Sequence, residues 1–182
     1  MLHRNIGAAI VMAVGGLAGC RGSATLGEGK PRMTLTSSSF QGGAIPKAAS
    51  CDGSDTSPAL AWGGAPAGVR SFALIVVDQD APLGSFVHWV LYDIPAEARA
   101  LPEGVPTQAQ LPDGSRQGTN DFDKVGYGGP CPPGKSAHRY VFALYALDAK
   151  LGLPAGATRG QVEDALKGHL LAHGELTGRY QR

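Results

Sequence analysis

Three apolar runs constrain this chain more than any other feature: "VRSFALIVVD" (69–78), "FVHWVLYDIP" (86–95) and "HRYVFALYALD" (138–148). Each is rich in β-branched and aromatic residues and carries apolar side chains on both faces of a period-2 repeat. A strand with no polar face must lie inside a sheet that is covered on both sides. The fold is therefore expected to be built on buried central strands, and other segments must supply the cover.

Those segments are polar and turn-rich. "MTLTSSSF" (33–40) alternates and reads as a strand, whereas "QGGAIPKAASCDGSDTSPAL" is a long excursion of turn formers. Residues 96–137 are dominated by Gly, Pro and Asp, and a loop of that length in a compact domain is usually functional or tightly packed. Near the C-terminus the period changes. Thr158 with Gln161 forms a capping-box pattern, and Val162, Ala165, Leu166, His169 and Leu170 follow at helical spacing, with Gly174 as the expected stop. Charged residues make up only 17% and there are 27 glycines, which favours a compact, loop-rich, mainly β domain over a disordered chain. The expected class is mainly β with short helices (α+β): an antiparallel sheet core with one C-terminal helix.

The first residues read as a targeting segment. "MLHRNIGAAIVMAVGGLAGC" has a short basic start, an apolar run too short to span a membrane, and then "LAGC", which resembles a bacterial lipobox. The competing reading is an ordinary signal peptide with an incidental cysteine. The expected division is a lipoprotein signal peptide at 1–19, lipidation at Cys20, a flexible tether at 20–32 and a single domain at 33–182. Arg21 after the lipid cysteine is not the aspartate linked to inner-membrane retention in some bacteria. The expected location is thus the cell envelope, anchored by lipid on the periplasmic side, with the outer membrane preferred. Formal net charge is +1, and cleavage would remove Arg4 and bring the side chains to balance, so no field draws the chain to nucleic acid. With Cys20 lipidated, Cys51 and Cys131 remain as a pair, either bridged or as two buried thiols.

The polar residues gather at strand ends. Asp78 and Asp80 follow the first run, His88 lies near the start of the second, and His138 opens the third. There, period 2 puts Tyr140 on the same face as His138 and turns Arg139 away. If the strands are neighbours, these side chains meet. Two Asp and two His would serve as a first shell for a divalent ion, but no HExxH, CxxC or calcium-loop pattern accompanies them, and no metal or other cofactor is expected. No G-x-S-x-G elbow is present, and Cys131 lies between prolines, a poor setting for an activated thiolate. The loop "GYGGP" (126–130) offers backbone N–H groups to an anion. Two bare carboxylates beside a phosphate would repel it, so the aspartates must be occupied by histidine N–H groups or by a cationic part of the ligand. The competing reading is that Asp78 and Asp80 only cap turns.

The motifs "DQDAP", "HWVLYDIP", "GYGGPCPPG" and "HRYVFALYALD", with "CDGSDTSPALAW" (51–62) and "HLLAHGELTGRY" (169–180), resemble the phosphatidylethanolamine-binding protein family, in particular its bacterial Raf-kinase-inhibitor-like (YbhB/YbcL-type) branch. The resemblance covers roughly residues 33 to 182. It implies a small anion pocket formed here by Asp78, Asp80, Ala81, Pro82, His88, Gly129, Pro130, His138 and Tyr140, with no catalytic turnover. Two departures are visible: Gln79 stands where the family turn often has proline, and "GKSA" is short before "HRY". The implied partners are a small phosphate-containing or phospholipid-headgroup ligand, the membrane through the N-terminal lipid, and, as the alternative function, a protease or kinase inhibited by protein contact. A metal-dependent hydrolase is the third class considered.

Overall fold

The computed structural model describes residues 26–182. The lipobox, Cys20 and the segment before it lie outside the described residues.

The three two-faced runs become neighbouring strands of one antiparallel sheet. Strand β3 (Ser71–Asp78) lies at its centre, hydrogen-bonded to β4 (Phe86–Pro95) on one side and β7 (His138–Leu147) on the other. The short β6 (Arg116–Gln117) and the long β8 (Leu170–Tyr180) complete the order β6-β4-β3-β7-β8. A second, three-stranded antiparallel sheet is formed by β1 (Thr34–Thr36), β2 (Leu60–Gly63) and β5 (Ala100–Leu101).

Period 2 on β3 explains why both faces are apolar. Phe72, Leu74 and Val76 point toward the small sheet and pack with Leu35, Trp62 and Leu101. Ala73, Ile75 and Val77 point the other way and pack with Val162 and Leu166 of the helix α1 (Arg159–Leu166). The central sheet is thus the middle of three layers, which buries every residue of β3.

The helix begins where the capping box places it: Thr158 accepts the Gln161 N–H, and the Gln161 side chain accepts the Thr158 N–H. Its end differs from the expectation. The helix stops at Leu166, Gly168 takes φ +86°, and Leu170 opens β8 rather than extending the helix toward Gly174. Residues 26–32, assigned to the tether from the sequence, lie against β8. Pro31 O accepts the His173 N–H at 3.1 Å, the Met33 N–H donates to His173 O at 2.7 Å, and Leu26 packs on the helix side of the sheet.

Candidate functional site

At one end of the central sheet the last residue of β3 is Asp78. Its antiparallel partners are Phe86 on β4 and Tyr140 on β7. Just inside this pairing β4 carries one residue more than β3: Val76 faces Trp89 but Val77 faces Val87, so His88 is the unpaired residue of a β-bulge. Bulges re-aim side chains, and this one turns the His88 ring toward the end of β3. The ring is clamped to the segment after β6, where its Nδ1 meets Gly128 O at 2.7 Å while Gly128 N–H donates back to His88 O at 2.9 Å.

Asp78, His88 and His138 are all buried. The Asp78 carboxylate accepts twice, from the Asp80 N–H at 2.9 Å and from His138 Nδ1 at 2.8 Å. A carboxylate can only accept, so Nδ1 carries the His138 proton in this pair. Tyr140 meets His88 in an edge-to-face contact with ring centroids 5.1 Å apart, and its hydroxyl is buried with no hydrogen-bond partner among the described residues. Burial and the Asp78 charge push that hydroxyl far above the ordinary tyrosine range. Burial also lowers the His88 pKa from 6.5, against the opposing pull of Gly128 O and Asp78, so its neutral form is favoured.

These groups border a cavity of about 240 Å³, lined by Asp78, Ala81, Pro82, Phe86, His88, Phe122, Cys131 and Pro133. Phe86 and Phe122 pack edge-on at 4.8 Å and both touch the His88 ring. The cavity therefore has a polar floor of one carboxylate and one imidazole under apolar walls. A larger concavity on the opposite face of the sheet, near Ile75, Arg159 and Glu163, is lined by none of the nine residues that the family resemblance assigns to the pocket.

A scan against family models matches residues 36–181 to the phosphatidylethanolamine-binding protein model. The chain belongs to the phosphatidylethanolamine-binding protein family. A UPF0098 protein of Aquifex aeolicus is 49% identical over 153 residues, covering 82% of this chain and 89% of the relative. The UPF0098 protein YbhB of Escherichia coli is 40% identical over 132 residues, covering 71% and 84%. Among solved structures, a phosphatidylethanolamine-binding-protein homologue from Chlamydia trachomatis aligns with a TM-score of 0.76 at 38% identity, covering 84% of this chain and 99% of that one. E. coli YbcL, described as a member of the mammalian family, aligns with a TM-score of 0.76 at 34% identity over 83% and 99%.

Within this family frame the nine residues carried over from the motifs divide into groups. Asp78, Ala81, Pro82 and His88 line the cavity, and His138 and Tyr140 support its floor from β7. Asp80 does not line it. Its carboxylate is engaged by Arg139, with the guanidinium Nη2 at 2.6 Å, Nε at 2.9 Å and the backbone N–H at 2.8 Å. Gln79 donates its N–H to Arg139 O at 2.9 Å, a bond that proline at this position could not make.

Gly129 and Pro130 belong to the frame behind the cavity, and three N–H groups of the glycine loop are engaged within the protein. The Gly126 N–H donates to Gly118 O, Gly128 N–H to His88 O, and Gly129 N–H to Asp55 Oδ1 at 2.6 Å. Pro130 O accepts the Cys51 N–H beside a disulfide joining Cys51 to Cys131, with Cα atoms 5.4 Å apart. The long segment 96–137 is held as well as folded over the site. Buried Gln117 accepts from Trp89 Nε1 at 2.7 Å and donates to Pro106 O and Gln108 O. Phe86, Phe122 and Pro133 on the cavity wall, Arg139 on Asp80, and Gln117 were not singled out in the sequence. Their roles depend on contacts between distant segments, for which the local pattern carries no signal.

Proposed function

We propose that this chain is a non-enzymatic binding protein for small anionic or zwitterionic phosphate-containing ligands, such as phospholipid headgroups, and that the ligand enters the cavity over Asp78 and His88. Membership of the family supports a ligand-binding protein of this type. The observation that carries the reading is the polar floor: buried Asp78 and His88 open into a cavity otherwise walled by Phe, Pro, Ala and Cys131, with His138 bonded to Asp78 behind them. Burying such a group without a polar partner in the ligand is costly. A binding role agrees with the state of Cys131, the cysteine on the wall, whose sulfur is tied up in the disulfide and offers no thiol nucleophile.

The same proposal places the chain in the bacterial envelope. The support is the "LAGC" motif ending at Cys20 together with the disulfide, which persists in oxidising compartments. Mass spectrometry of the mature N-terminus is expected to find an acylated Cys20, and an unmodified Cys20 overturns the anchor.

The binding test is titration calorimetry of the full chain in nonionic detergent with phosphate, phosphoethanolamine and a short-chain phosphatidylethanolamine. Saturable binding that is lost in a folded His138→Ala variant is the expected result, and no binding by any of the three overturns the reading. A second reading, inhibition of a protease or kinase by protein contact, draws on fully exposed Leu83 in the loop that also supplies Ala81 and Pro82 to the cavity. It expects capture of a partner enzyme to survive His138→Ala.

A further inference from the structure

The eight-residue α1 covers only part of the helix-side face of the central sheet. Beside it the face stays open as a concavity of about 300 Å³, floored by Ile75 and Val77 of β3 and by Val141 and Ala143 of β7. Its polar groups converge from three elements. Tyr145 of β7 lines the concavity and is only 7% exposed. Its hydroxyl makes no hydrogen bond among the described residues and, unlike that of Tyr140, is not sealed off. A buried tyrosine hydroxyl ordinarily finds a partner, so this one is left for something that enters. Glu163 of α1 and Glu175 of β8 line the same concavity. Burial and these two charges push the Tyr145 pKa up to about 12, against the opposing charge of Arg159. The phenol therefore keeps its proton, and the net field at its oxygen is negative.

The two acids are not both neutralised. Arg159 donates from Nε to Glu163 Oε1 at 2.6 Å and from Nη1 to Ser85 Oγ at 3.2 Å, which offsets one carboxylate. Glu175 is exposed and has no ion-pair partner among the described residues. Arg179 shares its side of β8, but four residues along a strand place its backbone about 13 Å away, beyond the screening length of about 8 Å at physiological salt. Gln79 on the lining is uncharged. His173, opposite Tyr145 on β8, is buried under Gly27 and does not line the concavity. We infer that this concavity is a second binding site, separate from the cavity over Asp78 and His88, for a small amphipathic amine. Its ammonium bonds Glu175 and the Tyr145 oxygen, and its apolar body lies on Ile75, Val77, Val141 and Ala143. An ammonium has only donors, the complement of a negatively charged rim whose free groups accept. A bare metal ion would use the carboxylates and leave the apolar floor uncovered. The inference does not depend on what the other cavity binds.

Three probes of similar shape test it: 2-phenylethylamine, 2-phenylethanol and 3-phenylpropionate, which are a cation, a neutral molecule and an anion at pH 7. Each is titrated by calorimetry into the full chain in nonionic detergent at low salt, against a detergent blank. The amine is expected to bind saturably, and the carboxylate at least about tenfold more weakly, because it meets the Glu175 charge with its own. Glu175→Gln, at an exposed position, is expected to weaken the amine about two- to fivefold and to leave the alcohol unchanged. Carboxylate binding as tight as that of the amine overturns the inference. So does amine binding that Glu175→Gln leaves unchanged, which would place the ligand elsewhere, over Asp78 and His88 or in the detergent. No saturable binding of the amine, the result if another segment of the chain or a second copy fills the concavity, overturns it as well.

Discussion

The Asp78 carboxylate and the His138 ring, 60 residues apart in the chain, meet at 2.8 Å across the β3–β7 ladder, and both are buried. Asp78 also closes the turn after β3 through the Asp80 N–H. One side chain thus joins the strand end, the turn and the third strand, so the two readings of this aspartate, turn former and floor of a polar site, describe a single arrangement.

Removing that side chain leaves a buried imidazole N–H and a turn N–H without acceptors. Asp78→Ala is expected to destabilise the fold by about 2–4 kcal/mol, with the smaller loss in Asp78→Asn, which retains one acceptor oxygen. Urea unfolding of the two variants against the parent chain measures this. An Asp78→Ala variant within 0.5 kcal/mol of the parent would show that the pair is not structural.

Asp80 tests whether the aspartates of the turn share a role. Hydrogen bonds from the Arg139 side chain and backbone, against a modest opposing effect of burial, hold its pKa down at about 2, from an ordinary 3.8. A carboxylate lowered in the folded state stabilises the fold above its unfolded pKa, and that contribution is lost as pH falls from about 4 toward 2. Carboxyl NMR is expected to show Asp80 titrating near 2, and Asp80→Asn to flatten acid destabilisation in that window. Because the carboxylate faces Arg139 and not the cavity, the same variant is expected to bind phosphate within about threefold of the parent. A larger loss, roughly 1.4 kcal/mol or a factor of ten, would return Asp80 to the ligand.

The disulfide links a wall of the cavity to the core. Cys131 lines the cavity, and Cys51 follows Ser50, which is completely buried. The bridge spans 80 positions, so its loss restores considerable freedom to the unfolded chain. The double substitution Cys51→Ser, Cys131→Ser is expected to cost about 2–5 kcal/mol in urea unfolding and to weaken phosphate binding as the 131–133 segment loosens. A variant with unchanged stability and affinity would contradict both expectations.

The central strands were legible because their burial is two-sided: an apolar run such as "SFALIVV" has no other place to go. The strand-end cluster was legible for a related reason, since three adjacent strands fix where their ends lie. The bulge at His88 was not visible, because an inserted residue has no compositional mark. The Arg139–Asp80 pair was missed for the opposite reason to β3. Period 2 correctly turned Arg139 away from His138 and Tyr140, but which acid waits there depends on how the turn after β3 folds back. The sequence also put the helix start correctly and its end wrongly. His169 and Leu170 happen to continue a helical spacing that Lys167 and Gly168 break.

β8 escaped the sequence reading because its buried face is partly made of glycine. Ala172, Gly174, Leu176, Gly178 and Tyr180 alternate on one side of the strand, the side that faces the small sheet and the turn around Ile45. Hydropathy sees little in such a row, yet the glycines are required by close approach rather than by backbone freedom. A Cβ at Gly174 would lie 2.8 Å from the Met33 carbonyl oxygen, and one at Gly178 would lie 2.6 Å from the Ile45 side chain. The two obstacles differ in kind. At Gly178 the obstacle is the Cγ1 and Cδ1 of buried, β-branched Ile45, with buried Phe40 at 3.1 Å, so Gly178→Ala must repack the core and is expected to cost about 1–3 kcal/mol. At Gly174 the obstacle is backbone, held where Met33 N–H bonds to His173 O, so Gly174→Ala must separate the 31–33 segment from β8 and is expected to cost about 1–3 kcal/mol. Paired urea melts decide it: a cost below about 0.5 kcal/mol at either site would mean that β8 packs more loosely there than its contacts require.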